Sequence, residues 1–227
     1  MIPIRDDAPR STTPVVNYFL IALNVLVYLF EYPLSNREKY AFAMQFGLVP
    51  RHVDGWLSGA LPAAAGILPF FTSMFLHGGL VHLLSNMWAL VIWGDNVEDR
   101  LGHFRYLLFY LTCGLAAGFT QFALNLHSQI PTVGASGAIA GVMGAYFLLF
   151  PSARVLTWFG FFIFWLPAWL VLGYWFVLQF LSGAASTLSL NHEDGGIAVW
   201  AHVGGFIAGV VLIKLLPARR HYLFYEA

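Results

Sequence analysis

Apolar residues run in long unbroken blocks along this chain, and most polar residues fall into the gaps between them. Six blocks are long enough for membrane helices: residues 15–32, 70–94, 104–126, 136–150, 155–182 and 199–216. None alternates apolar and polar positions with period two, so helices fit better than barrel strands. Only two arginines precede the first block and no small-residue cleavage site follows it, which predicts a retained helix and not a signal peptide. No repeat, low-complexity tract or long linker interrupts the pattern. It predicts one all-α domain over residues 1–227, a polytopic bundle of six transmembrane helices with its helical core at 15–216.

Composition points the same way. Of 227 residues, 59% are hydrophobic and only 10% charged, against about 25% charged in an ordinary soluble domain. The 11 basic and 11 acidic residues cancel, so no basic surface argues for nucleic acid. Cys113, the only cysteine, excludes a disulfide framework and reads as a small core residue whose thiolate would be desolvated. With a cytoplasmic N-terminus, the inner segments hold Arg5, Arg10, Arg100, Arg105, Arg154, Lys214, Arg219 and Arg220. The outer segments hold Arg37, Lys39 and Arg51. Eight against three follows the positive-inside rule and predicts both termini in the cytoplasm.

Two segments depart from the simple pattern. Block 136–150 precedes Pro151 and reaches about 22 Å at 1.5 Å per residue, short of a hydrocarbon core of about 30 Å. This fourth helix is therefore predicted to start below the outer surface, with the backbone leading into it lining protein or a water-filled cavity. The first outer loop, residues 33–69, carries Phe42, Met44, Phe46, Leu48, Val49, Trp56 and Leu57. That content predicts a loop lying partly in the membrane interface.

Chain direction brings the chemistry-bearing residues to one depth. Blocks two, four and six all run from outside to inside. His77, His82 and Asn86 lie in the first half of block two, Ser136 begins block four, and His202 sits near the start of block six. Polar groups in the outer third of a bilayer are costly and are functional candidates. Block four begins V-G-A-S-G-A-I-A-G, with Gly134 and Gly137 flanking Ser136 closely, and Gly137, Gly141 and Gly144 at helical spacing. Block six reads A-H-V-G-G-F-I-A-G and aligns His202, Gly205 and Gly209. Such stripes let helices approach backbone to backbone, as a Ser136–His202 hydrogen bond requires. Either motif alone is also read as packing; the pair at matched depth favours nucleophile and base. His82 and Asn86, at i and i+4, share a helix face and can donate to an oxyanion, together with backbone N–H groups around Ala135 and Ser136. A structural hydrogen-bond network is the alternative there. His77 reads as structural or loop-anchoring. No acidic residue falls at the level of His202: Asp95, Glu98 and Asp99 lie on the inner side, and Glu193 and Asp194 in an outer loop. The residues therefore predict a Ser–His pair without a carboxylate. Zinc lacks an H-E-x-x-H, and the hydrolase elbow G-x-S-x-G matches neither spacing nor context.

The chain resembles the rhomboid intramembrane serine proteases. The resemblance rests on G-A-S-G-A-I-A-G at 134–141, A-H-V-G-G at 201–205, H-G-G-L-V-H-L-L-S-N at 77–86 and G-D-N-V-E-D-R-L-G at 94–102. It implies peptide-bond hydrolysis within the membrane, with Ser136 as nucleophile, His202 as general base, and His82, Asn86 and the Ser136 amide as the oxyanion hole. Glu98 would be structural, tying the second helix to the third. The implied substrates are single-pass membrane proteins cut near the outer face, without metal or cofactor, in a bacterial inner membrane. Two positions depart from the family: Ala140 stands where some members carry a tyrosine stacked on the histidine, and Leu68-Pro69 replaces a Trp-Arg pair. The alternative is an inactive relative that binds membrane helices. A transporter is disfavoured, because no charge lies at the midplane and no inverted repeat appears.

Overall fold

A computed structural model of the chain describes residues 1–188 and 198–216. Glu193, Asp194, Arg219 and Arg220 lie outside the described residues. In chain order, strand β1 (Ile2–Asp6) precedes helix α1 (Val15–Glu31). Four short helices follow: α2 (Asn36–Phe46), α3 (Pro50–Leu57), α4 (Ala63–Ile67) and α5 (Pro69–Thr72), the last running into a 3-10 turn at Ser73–Phe75. Then come α6 (Leu80–Ala89), a π-helical turn (Leu90–Gly94), α7 (Asp95–Leu101), α8 (His103–Leu124) and α9 (Ser136–Leu149). A hairpin of β2 (Arg154–Phe159) and β3 (Phe162–Pro167) leads into α10 (Ala168–Leu188) and then α11 (Val199–Leu215).

The short α9 is the centre of the molecule, and residues 137–146 are all buried. It packs chiefly against α8 and α11. Glycine makes that possible. An added Cβ at Gly205 would lie 2.0 Å from the Gly137 carbonyl oxygen, and one at Gly209 would lie 1.9 Å from that of Gly141. One at Gly141 would meet Cys113 Cβ at 2.4 Å, which places the lone cysteine as a buried packing partner. Within a membrane, association of helices depends on such close backbone packing, because lipid is as apolar as the side chains.

Among the described residues, His103–Leu124 and Ala168–Ser186 are each long and apolar enough to cross a membrane. The pair Ala63–Phe75 and Leu80–Leu101, bent by 76°, reaches that together, while Val15–Glu31, Ser136–Leu149 and Val199–Leu215 are shorter apolar helices. Mostly helical architecture was expected from the apolar blocks and is what the chain adopts.

Two block boundaries need correction. Block 70–94 is not one helix. It breaks between Phe75 and Leu80, at Gly78-Gly79, and then continues past Gly94 to Leu101. The extension is charged yet buried because Asn96, Glu98 and Asp99 find partners in the N-terminal segment. Block 155–182 is not one helix either. Its first part is the β2–β3 hairpin, which with β1 forms a three-stranded antiparallel sheet in the order β1-β2-β3. Gly160, at φ +60°, opens the turn that a helix would not allow, and Val155, Thr157, Ile163 and the aromatic residues suit a pleated backbone. Exposed Trp158, Phe159, Phe162 and Ile163 are neighbours along the strands, so apolar side chains point to both faces and hide the period-two signal.

The sheet and α7 hold the end of the bundle opposite Ser136. The buried Glu98 carboxylate accepts from the backbone N–H groups of Val16 (3.0 Å) and Asn17 (2.7 Å), two first-turn donors of α1 that have no intrahelical partner. Its Oε1 also meets His103 Nδ1 at 2.5 Å, joining α7 to α8. Asp99 accepts from the amides of Ser11 (2.8 Å) and Thr12 (2.9 Å) and from both hydroxyls. Tyr146 of α9 donates to Asp6 of β1. At the other end, Leu48 and Thr132 exchange backbone hydrogen bonds of 2.9 and 2.8 Å. These bonds fold the first outer loop onto the segment that leads into α9.

Gly209→Ala is expected to lower the free energy of unfolding by about 2–3 kcal/mol in a denaturant titration in detergent, because backbone cannot yield as a side chain does. Gly173→Ala, where the nearest atom beyond the helix is 3.8 Å away, is expected to be neutral or to stabilise; the gain from a helical alanine is about 0.5–1 kcal/mol.

Candidate active site

Four helices meet where α9 begins. Ser136 is the first residue of α9, half-buried, with Ala135 as the preceding cap and no side-chain cap. Its Oγ lies 2.8 Å from Nε2 of His202, which is buried one turn into α11. The separation follows from the packing described above. Gly205, three residues after His202, rides on the carbonyl of Gly137, one residue after Ser136, so the two helices cannot part at this level without losing that contact.

The far edge of the imidazole is held as well. His202 Nδ1 lies 2.8 Å from Gln179 Oε1 of α10. The ring of Trp175, one turn earlier on α10, sits 5.8 Å from that of His202, tilted by 38°. Neither residue was predicted from the sequence. The signal was available for Gln179, a lone amide in an apolar stretch whose direction puts it at the outer level. Trp175 carried none, since it is one aromatic among many. Ala140, where some family members carry a stacking tyrosine, is fully buried within the core cluster instead.

His82 and Asn86 both lie on α6, as their spacing predicted. The His82 ring closes over Gly134: a Cβ there would be 2.8 Å from its Cε1 and Nε2, and 3.4 Å from Ser136 Oγ. Gly134 also has φ +131°, a region that favours glycine, and its N–H donates to the Ser73 carbonyl at 2.9 Å. The missing side chain thus keeps a small space open between the His82 imidazole and the Ser136 hydroxyl. Asn86 is buried, and its Nδ2 has no hydrogen-bond partner among the described residues. A donor left unpaired at this depth is costly unless something else takes its hydrogen bond. The first amides of α9, at Ser136 and Gly137, are likewise without partners in their own helix.

His77 stands beside this group and not in it. Its ring packs edge-on against His82 at 5.2 Å, and its backbone N–H donates to Glu31 Oε2 at 3.3 Å. Glu98 lies at the opposite end, in the clamp on α1. Gly137, Gly141, Gly205 and Gly209 all serve the helix contact. Among the described residues, no three His, Cys, Asp or Glu side chains are grouped to hold a metal ion.

The family model of the rhomboid domain matches residues 64–219. The chain belongs to the rhomboid family. It is similar to the chloroplastic RHOMBOID-like protein 9 of Arabidopsis thaliana, 28% identical over 223 residues that cover 91% of this chain and 43% of that protein. It is 30% identical to Rhomboid protease GluP of Bacillus subtilis over 145 residues, which cover 64% of this chain and 26% of that one. The mitochondrial Rhomboid protein 1 of Saccharomyces cerevisiae is 30% identical over 144 residues, covering 61% of this chain and 39% of that protein. The chain spans less than half the length of each of these curated relatives. Family membership and the apolar helices together make it an integral membrane protein of rhomboid type.

Gly134→Ala is expected to destabilise by about 1–3 kcal/mol through backbone strain alone, and to push the His82 ring away from Ser136. A variant that unfolds at the wild-type denaturant concentration contradicts this account of the glycine.

Proposed function

We propose that the chain is an intramembrane serine endopeptidase that cuts single-pass membrane proteins near the outer face of the bilayer. The observation that carries this reading is the 2.8 Å contact between Ser136 Oγ and His202 Nε2 at the start of a buried helix. A relative named as a rhomboid protease supports the reaction class.

In this reading Ser136 Oγ attacks the scissile carbonyl carbon while His202 Nε2 takes the hydroxyl proton. His82, Asn86 and the backbone amides of Ala135, the cap of α9, and of Ser136 donate to the oxyanion that forms. The C–N bond then breaks, and His202 returns its proton to the leaving amine. Water, deprotonated by the same nitrogen, attacks the acyl ester; the carbonyl reforms, Ser136 leaves and recovers its proton from His202. Each step is complete with the two side chains, the donors and water, so no metal or cofactor takes part. Polar donors act strongly here because the surroundings are poor in water. The chain works as one domain crossing the bacterial inner membrane six times, both termini in the cytoplasm. β1 and the α9–α10 connection then share the inner side with Arg5 and Arg154.

The reading is tested with a fluorescent fluorophosphonate on the purified, detergent-solubilised protein. Wild type is expected to label, and Ser136→Ala and His202→Ala to remain dark. Equal labelling of all three sinks the nucleophile assignment. Wild type that folds but never labels sinks it too, and leaves the alternative of an inactive relative that binds membrane helices. Removing an oxyanion donor, as in Asn86→Ala, is expected to lower kcat for a cleaved transmembrane substrate by roughly 10²–10³-fold, with unfolding little changed.

A further inference from the structure

We infer that Gln179 is a positioning residue that holds His202 in the one tautomer able to act on Ser136, taking the place of the missing carboxylate. The inference rests on the Ser136–His202 reading above. A side-chain amide oxygen can only accept, so the 2.8 Å approach of Gln179 Oε1 to His202 Nδ1 requires Nδ1 to carry the proton. Nε2 then presents its lone pair to Ser136 Oγ, 2.8 Å away, and accepts the hydroxyl hydrogen. With the amide turned over, the reverse holds: its NH2 donates to Nδ1, Nε2 carries the proton, and Ser136 faces a donor instead of a base.

Three further observations support this role. Trp175 and Gln179 are i and i+4 on α10, so one helix face meets both the plane and the edge of the imidazole. From Ala168 to Leu181, Gln179 is the one side-chain amide in an otherwise apolar run, a position that is unfavourable unless the amide is bonded. Among the described residues, no carboxylate hydrogen-bonds to His202; its ring partners are Gln179 and Ser136. A neutral acceptor suits this depth, since it orients the ring without bringing a buried charge that would need its own counter-charge.

The test uses protein labelled with 15N-histidine in detergent, with the His202 signals assigned by their loss in His202→Ala. At a pH where the ring is neutral, wild type is expected to show a protonated Nδ1 and an unprotonated Nε2. Gln179→Leu, similar in size but unable to accept, is expected to show mixed tautomers. Its fluorophosphonate labelling rate at Ser136 is expected to fall about 10- to 100-fold. Gln179→Glu keeps an acceptor oxygen and is expected to restore both the wild-type tautomer and most of the rate. A residue that merely packs helices would change unfolding without moving the tautomer. Wild type with Nε2 protonated, or Gln179→Leu with the wild-type tautomer and rate, overturns the inference. If wild type and Ser136→Ala label alike, the protease reading fails, and the 15N tautomer measurement still decides the role of Gln179. If Gln179→Leu does not fold, the wild-type tautomer and the Gln179→Glu rate remain decisive.

Discussion

The backbone contact between α9 and α11 is the constraint on which the rest depends. The carbonyl oxygens of Gly137 and Gly141 occupy the space where side chains of Gly205 and Gly209 would stand. That contact sets the distance between the helix that begins with Ser136 and the helix that carries His202. In water, apolar burial would draw these helices together whatever their surface relief. In lipid that force is absent, and proximity depends on how closely two backbones can fit. The glycines are therefore part of the candidate site without carrying any of its chemistry.

A second consequence concerns where polar groups are tolerated. The fold gathers them at its two ends. At one end Glu98 and Asp99 are buried and accept backbone N–H donors from the start of the chain, so the N-terminal segment is tied to α7 before α1 enters the bundle. The Glu98 bonds join donors that α1 cannot satisfy itself to a carboxylate whose burial would otherwise be costly. At the other end, His82, Asn86, Ser136, Gln179 and His202 come from four helices. There Asn86 keeps a buried donor without a partner among the described residues. The charged groups at one end are tied to the N-terminal segment, while the group around Ser136 retains unused hydrogen-bonding capacity at Asn86.

How much of this was legible in the sequence differed residue by residue. Ser136, His202, His82 and Asn86 could be found because a polar side chain in an apolar block is conspicuous and chain direction assigns its depth. Gln179 obeys the same rule. Its level is hidden because the apolar block begins at residue 155 while the helix begins only at Ala168, and because an amide is a less conspicuous partner for histidine than a carboxylate. The β2–β3 hairpin escaped for a different reason. Period two is visible only when one face of a strand is polar, and Trp158, Phe159, Phe162 and Ile163 are apolar in succession. Gly160 between two aromatic and β-branched runs was the remaining clue to a turn.

By itself the sequence determined that the chain belongs in a membrane, that its fourth helix is short, and that a serine and a histidine share a depth with two potential donors. These follow from composition and spacing, which act locally along the chain. Only the tertiary structure decided that Gln179 and Trp175 meet the histidine, that Gly134 keeps the space beside Ser136 open, and that residues 154–167 fold as a β-hairpin. Each of those depends on atoms far apart in sequence meeting within a few ångströms. A one-dimensional pattern records which residues can meet at a given level, while packing alone selects which of them do.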